Sequence, residues 1–582
     1  MNRIYKKTNT VSTPGIRSKP SLKIHRLLQE AVDLHQKGLF NEALPLYESV
    51  LAEDSKNFEA LHLSGLIAYQ TNNPAKGVKL MQDALKISPQ NVACLVNLGL
   101  AEHVVGDFKS AEKRYKFAIS IRRDFEKVHY NLGNLYKDQN IWDKAIQCYE
   151  TAITLKPDYW EVYLNLANVL ESNQLLENAI RSLNKVLFLS PFQSKAYNNR
   201  GNVYKKLEKW RDAINDYDLS IHLDKNYSDV YVNKGNLLKE LGYWEPAIAC
   251  YRRCLEIDKA HPKAIWNMSI LSLTFGDFTK GWQEYETRWL KENEAALNLK
   301  VLKGLHINKG QEWRGLENIS GKRILLYAEQ GLGDSIQFVR FIPELLARGA
   351  NVLLMVQRPL IELFKQFKHV SHLLATEDPI PNYDFCCPLM SLPLALELNK
   401  ESDYVYSPYL HADENKTERW AKKLNCISGP KVGVVWRGSV VHANDRQRSL
   451  SFQTFKECLP SDHLFVSLQK EVSDEDLTVI KQNGNILDFS QDLTDFSETA
   501  ALCANLDLII CVDTSVAHLA GAMGKEVWLL IPFIPDWRWM LGRQDSPWYA
   551  NLSLYRQRVW GEWSNPLEQV KIDLVQKLSL KK

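Results

Sequence analysis

The chain has 582 residues, too many for one hydrophobic core, so several domains are expected. A hydrophobic share of 45%, a charged share of 24% and a formal net charge of +3 are ordinary for a globular protein, and too balanced to argue for nucleic acid or an anionic membrane as partner. The 10 cysteines form no CxxC pair and no Cys/His metal spacing, and no apolar run approaches the ~20 residues that span a bilayer.

Residues 1–23 are basic, rich in Ser, Thr and Lys, and without the apolar centre of a secretory signal. They read as a disordered tail, and the cysteines as reduced thiols of a cytoplasmic protein. From residue 24 to about 290 one spacing dominates. Small residues recur every 34 positions at Ala31, Gly65, Gly99, Gly133, Ala167, Gly201, Gly235 and Ser269. A second small set follows 12 residues later, from Ala43 to Gly281, and a bulky set 4 residues after that, including Tyr47, Tyr115, Tyr149, Tyr217, Tyr251 and Tyr285. A helix-turn-helix of 34 residues with this pattern resembles the tetratricopeptide (TPR) repeat. Eight such units imply an α-solenoid, a TPR superhelix with a concave face. The small residues let paired helices approach, and the aromatic is expected to fill the gap between neighbouring units.

The same phase carries a polar line: Asn97, Asn131, Asn165, Asn199, Asn233 and Asn267, with Asn134, Asn168, Asn202 and Asn236 one turn on. An amide both donates and accepts, so these ladders suit an extended polypeptide held by its backbone, although Asn is also common at these positions in TPR units. A protein partner is expected for the array.

After a polar connector at 291–320 the pattern becomes α/β. Expected strands are 323–328, 351–357, 383–387, 431–436, 463–468, 486–489, 507–512 and 527–532. Near-continuous apolar strands between helices imply parallel sheets covered on both faces. Two sets, split near 414–426, imply Rossmann-like lobes at 321–412 and 413–582 facing a cleft, with ligands beyond the carboxyl ends of the strands.

In the first lobe, 325-LLYAEQGLGDSIQFVRF-341 places a Gly-x-Gly turn, Gly331 and Gly333, before Asp334 at a helix N-terminus. It lacks the third glycine of a dinucleotide loop and the lysine of a P-loop, and Asp334 would repel a phosphate. The helix dipole favours an ionised carboxylate able to accept a proton, and an ordinary capping aspartate is the competing reading. In the second lobe, Asp513, Thr514 and Ser515 open a helix at a strand end, the usual anion site, with His518 one turn in. Arg437, His442, Arg446 and Arg448 lie on the loop after another strand and Lys470 ends a third, which suits a diphosphate.

On 333-GDSIQF-338 and 512-VDTSVAHLAGAMG-524, residues 320 to 570 resemble a GT-B nucleotide-sugar glycosyltransferase of the heptosyltransferase type (glycosyltransferase family 9). That resemblance implies Asp334 as catalytic base, and a donor turn at Asp513, Thr514, Ser515 and His518. The family's phosphate-binding Lys is replaced by Arg446 and Arg448. His518 joins Asp334 as a catalytic candidate. Gly331, Gly333, Gln337, Trp436, Asp445 and Trp537 complete the expected donor contacts, and Trp537, Trp539 and Trp548 either stack on a base or sugar or pack. The plan of TPR array plus transferase resembles O-GlcNAc transferase and TPR-containing flagellin glycosyltransferases. It implies inverting transfer of a sugar to Ser or Thr of a protein, flagellin or another surface protein among the options. A lipopolysaccharide or other glycan acceptor, and an inactive scaffold, are the alternatives. No cofactor beyond the nucleotide-sugar co-substrate and no metal are expected, since no acidic pair stands beside the phosphate turn.

Overall fold

Four of the repeats close on a glycine set against a tyrosine, at Gly99, Gly133, Gly201 and Gly235. In the computed structural model, which describes residues 19–290, 311–404, 407–439 and 445–579, a Cβ on Gly99, Gly133 or Gly201 would lie 2.7, 2.6 or 2.7 Å from the ring of Tyr115, Tyr149 or Tyr217. Glycine and tyrosine belong to the two helices of one repeat, so the aromatic seals the unit internally rather than the gap to its neighbour. The helical pairs run from Lys19–Gln36 with Phe40–Glu53 to Pro262–Thr274 with Phe278–Tyr285. The turn inside each pair has its own 34-residue signal. Gly38, Asn72, Gly106, Asn140, Gln174, Glu208, Gly242 and Gly276 all take positive φ, the left-handed conformation that ends a helix. Glycine supplies it freely and the other side chains at a cost.

The chain divides into two units, Met1–Val230 and Tyr231–Lys582. The last helical repeats belong with the α/β region because their side chains are built into its core. Trp282 donates its indole N–H to Tyr404 Oη at 2.6 Å, and Phe278 packs on the rings of Tyr404 and Trp548. Of the expected connector, 291–310 lies outside the described residues. Its end is not a spacer: Trp313 is buried, and Glu312 bridges to Cys386 beside the first sheet.

Two parallel sheets follow. The first has order β3-β2-β1-β4, with β1 Arg323–Tyr327, β2 Asn351–Val356, β3 His372–Ala375 and β4 Phe385–Pro388. The second has order β10-β9-β8-β5-β6-β7. Its strands are β5 Val432–Val435, β6 Phe465–Ser467, β7 Ile486–Asp488, β8 Leu508–Val512, β9 Val527–Ile531 and β10 Leu552–Arg556. Register is fixed by pairs such as Ile324↔Val352 and Val434↔Ile510. All the expected strands form. Two were not anticipated, β3 and β10, and both are edge strands. The helix Glu414–Lys423 belongs to the second sheet's layer, since the Trp420 indole donates to Glu498 at 2.9 Å. Helix Leu332–Phe338, after β1, packs directly on helix Ser515–Ala522, after β8.

Candidate functional site

The close contact of those two helices is made by Gly333. A Cβ there would meet His518 Cδ2 at 2.8 Å, so only glycine lets the two motifs touch. Next to it, Asp334 accepts from the Gly331 N–H at 2.7 Å through Oδ2, the capping role, and pairs with the Arg538 guanidinium through Oδ1. The carboxylate is therefore not a lone anion. It keeps 19% of its side-chain surface open. Arg538 also donates to Gln337 Oε1 at 2.6 Å and Asp536 Oδ1 at 2.8 Å. Nothing in the sequence pattern singled out Arg538. It arrives from the loop after β9, 204 residues along the chain from its partner.

At the second sheet, β8 ends in Asp513 and Thr514, and Thr514 takes extended geometry as the cap of helix Ser515–Ala522 without using its side chain to close it. Among the described residues its buried Oγ1 has no hydrogen-bond partner, and neither do the buried Nε atoms of Arg437 and Arg448. Asp445 holds both guanidinium groups loosely, at 4.0 and 3.9 Å, and Arg448 Nη1 donates to the Asp513 carbonyl at 3.0 Å. A buried donor left unsatisfied costs about 1–3 kcal/mol. Arg437 follows β5, Thr514 follows β8, and Arg448, on the short helix Asp445–Arg448, reaches the Asp513 carbonyl beside Thr514. Arg437, Lys470, Asp488 and Ser490 line a cavity of about 500 Å³ on the same rim, where Lys470 Nζ reaches the Ser490 carbonyl at 3.0 Å.

Several expected contacts are corrected. Trp436 is fully buried and its indole N–H is taken by Asp476 at 3.0 Å, so it is a core residue and not a donor contact. Trp537 is enclosed by Trp282, Tyr285 and Trp548 and packs rather than stacks on a ligand, as do Trp539 and Trp548. Gln337 is buried against Arg538, out of a donor's reach. Asp445 is buried as an anchor, accepting from Ser449 Oγ. Arg446 lines a second cavity of about 280 Å³ with Phe533, Gln557 and Trp560, so the expected cations do not all converge. His442 lies outside the described residues. Gly331 acts through its N–H on Asp334, and Ser515 is half-buried at the helix start.

His518 is buried, stacked on Trp539 at 5.4 Å, with Nδ1 2.9 Å from Tyr549 Oη. Burial first, then Arg538, Arg340 and Arg448, hold it well below the usual histidine range, so it is neutral. Burial and then Asp536 push the Asp513 carboxyl up, against the pull of Arg448 and Arg538.

The asparagine ladders are cross-braced. In the first unit Asn165 donates to Asn134 at 3.2 Å, Asn199 to Asn168 at 2.8 Å, and Asn97 meets His62 at 2.9 Å. The hydroxyls of Tyr149 and Tyr217 occupy the Asn134 and Asn202 carbonyls at 2.7 and 2.8 Å. In the second unit Tyr251 does the same to Asn236 at 2.7 Å, while Asn267 is buried and held by Lys239 and the Lys263 carbonyl, both at 2.8 Å. Asn267 is thus a structural member and not a groove residue. Asn131 and Asn233 are half-buried.

Comparison with known proteins agrees with the repeats. A TPR repeat family matches residues 133–174, and tetratricopeptide repeat families match 28–92, 194–227 and 228–261. The chain is 27% identical over 328 residues to Protein FlbA of Caulobacter vibrioides, covering 51% of this chain and 52% of that protein. It is 32% identical over 112 residues to the probable UDP-N-acetylglucosamine–peptide N-acetylglucosaminyltransferase SPINDLY of Arabidopsis thaliana, covering 19% of this chain and 12% of SPINDLY. The chain thus spans about half of FlbA and about an eighth of SPINDLY. Among solved structures, Pseudomonas aeruginosa pilF is 19% identical, with 36% of this chain and 96% of that chain covered and a TM-score of 0.33. No helix among the described residues is long and apolar enough to cross a membrane.

Proposed function

We propose that the protein is an inverting glycosyltransferase of GT-B plan that moves a sugar from a nucleotide-sugar to Ser or Thr hydroxyls of a protein bound by the repeats. The observation that carries this reading is the set of buried donors, Arg437 Nε, Arg448 Nε and Thr514 Oγ1, that have no partner among the described residues, beside the ends of β5 and β8. Phosphate oxygens supply the acceptors those groups lack, and the helix start at Ser515 adds its dipole. Similarity to SPINDLY, whose name describes peptide glycosylation, supports the class of acceptor.

In this mechanism Asp334, across the contact at Gly333, takes the proton from the acceptor hydroxyl as it attacks the anomeric carbon. Arg538 holds the carboxylate oriented and must release one oxygen edge to the incoming hydroxyl. The bond from the anomeric carbon to the phosphate oxygen breaks on the opposite face, which inverts the centre, and the charge of the departing nucleotide falls on Arg437, Arg448 and Thr514. His518, neutral and wedged under Gly333, keeps the two helices in register rather than moving a proton itself.

The test is transfer of radiolabelled sugars from a panel of nucleotide-sugars to proteins of a bacterial lysate, with wild type and Asp334→Asn. Label on Ser or Thr that falls by about 10²–10⁴ in the variant supports the reading. Label on lipid or glycan shifts the acceptor, and label unaffected by the substitution removes Asp334 from the chemistry.

A further inference from the structure

The last turn of the last repeat touches both chain segments that meet at Asp334. Tyr285 Oη accepts from Gln330 Nε2 at 3.1 Å, and the Gln330 carbonyl is held on its other side by Gln357 at 2.7 Å. Arg288 is fully buried. It donates to Glu329 Oε1 at 3.1 Å, to Ser391 Oγ at 2.6 Å and to Glu286 Oε1 at 2.5 Å. Glu329 and Gln330 are the residues immediately before the Gly331–Asp334 turn. From the other side, Trp282 and Tyr285 stand edge-on to Trp537 at 5.3 and 6.3 Å. Trp537 immediately precedes Arg538, whose guanidinium lies over its ring at 4.2 Å. One short helical end therefore braces the segment that delivers the carboxylate and the segment that delivers its guanidinium partner.

We propose that Tyr285 and Arg288 are positioning residues for the Asp334–Arg538 pair, so that the last repeat sets the geometry of the base. This rests on the glycosyltransferase reading for its catalytic consequence and on the contacts alone for the brace itself. Neither residue reaches the rim of the second sheet that would hold the nucleotide. Their effect is therefore on turnover and not on donor affinity. It also offers a route by which a polypeptide engaged by the last repeats could act on the site without touching it: a shift of this turn moves both partners of the ion pair together.

The test compares the full-length wild type with Tyr285→Phe and with Arg288→Met/Glu329→Gln, which removes one charge of each sign and leaves Glu286 its bond from Ser391. Hydrogen exchange read by mass spectrometry is expected to speed up in 329–338 and 536–540 in both variants. In steady-state transfer kcat falls about 10–100-fold, since an ångström of misplacement costs up to about 10²-fold, while donor KM and nucleotide-binding stoichiometry stay at wild-type values. A merely structural role would lower stoichiometry and thermal stability together with kcat. Arg288→Lys, which keeps a cation beside Glu329, should recover more of kcat than the neutral pair. Unchanged exchange in those two segments overturns the proposal, whatever the kinetics. Faster exchange with wild-type kcat overturns it as well. If the wild type transfers no sugar from any donor, the glycosyltransferase reading falls, and the exchange result alone decides whether the brace exists.

Discussion

Both the repeats and the α/β region use glycine to bring two helices together, but to different ends. At Gly133 the approach is to Tyr149, within one repeat, and the same joint recurs at Gly99 and Gly201. At Gly333 the approach is to His518, and the joint brings Asp334 and Arg538 to the same place. A repeated joint is a packing solution, and its damage is confined to its neighbours. The joint at Gly333 lies between segments far apart in sequence, and it carries titratable side chains rather than a packing aromatic alone. The difference teaches where to look for chemistry in a chain of this kind: at the close contact that breaks the repeat.

Substitutions can break that comparison. The largest effect is expected from setting Asp334→Asn beside Asn199→Ala. The first lowers kcat by about 10²–10⁴ with donor binding kept. The second removes a hydrogen bond worth about 1 kcal/mol, leaving kcat alone and raising acceptor KM a few-fold. Steady-state kinetics with both substrates varied checks the pair, and equal effects on kcat would erase the distinction.

Gly133→Ala and Gly333→Ala come next. Overpacking at Gly133 should cost about 1–3 kcal/mol of stability in denaturant unfolding. It should leave transfer by the folded fraction intact, whereas Gly333→Ala should depress transfer at any matched folded fraction. A smaller, pH-dependent term belongs to His518. Its charged form is disfavoured in the folded protein, while the unfolded chain takes up the proton at the ordinary value of 6.5. Stability contributed by the neutral ring is thus fully present above pH 6.5. It is lost as pH falls below that, by about 1.4 kcal/mol per unit for one proton. His518→Gln should remove that slope from thermal melts of the full chain between pH 6.5 and 5. The smallest effect is at the turns: Glu208, at φ 58°, is a strained position in the repeats, and Glu208→Gly should gain up to about 1 kcal/mol.

Much of the architecture was readable because its signals repeat or run unbroken. The 34-residue phase survives any single divergent position, and central strands such as β8 and β9 are apolar throughout because helices cover both faces. Edge strands carry a weaker signal: in β10, Leu-Ser-Leu-Tyr-Arg, the exposed Ser553 and the half-buried Arg556, which donates to the Arg543 carbonyl, break the apolar run. At the candidate site, strand ends point to Arg437 and Thr514, but adjacency along a strand does not give the face. Side chains alternate, so Trp436 points into the core while Arg437 reaches the rim. Arg538 and Gln337 show the other limit. Their roles come from a contact between segments about 200 residues apart, which no local pattern encodes.

The most direct measurement is a calorimetric titration of UDP, GDP, ADP and CMP into the full-length wild type and into Arg448→Ala and Thr514→Val. The account predicts saturable binding of at least one nucleotide, weakened about 10–100-fold by Arg448→Ala, as expected for a charge-assisted hydrogen bond, and less by Thr514→Val. Wild type that binds none of them, or variants that bind as well as wild type, would contradict it.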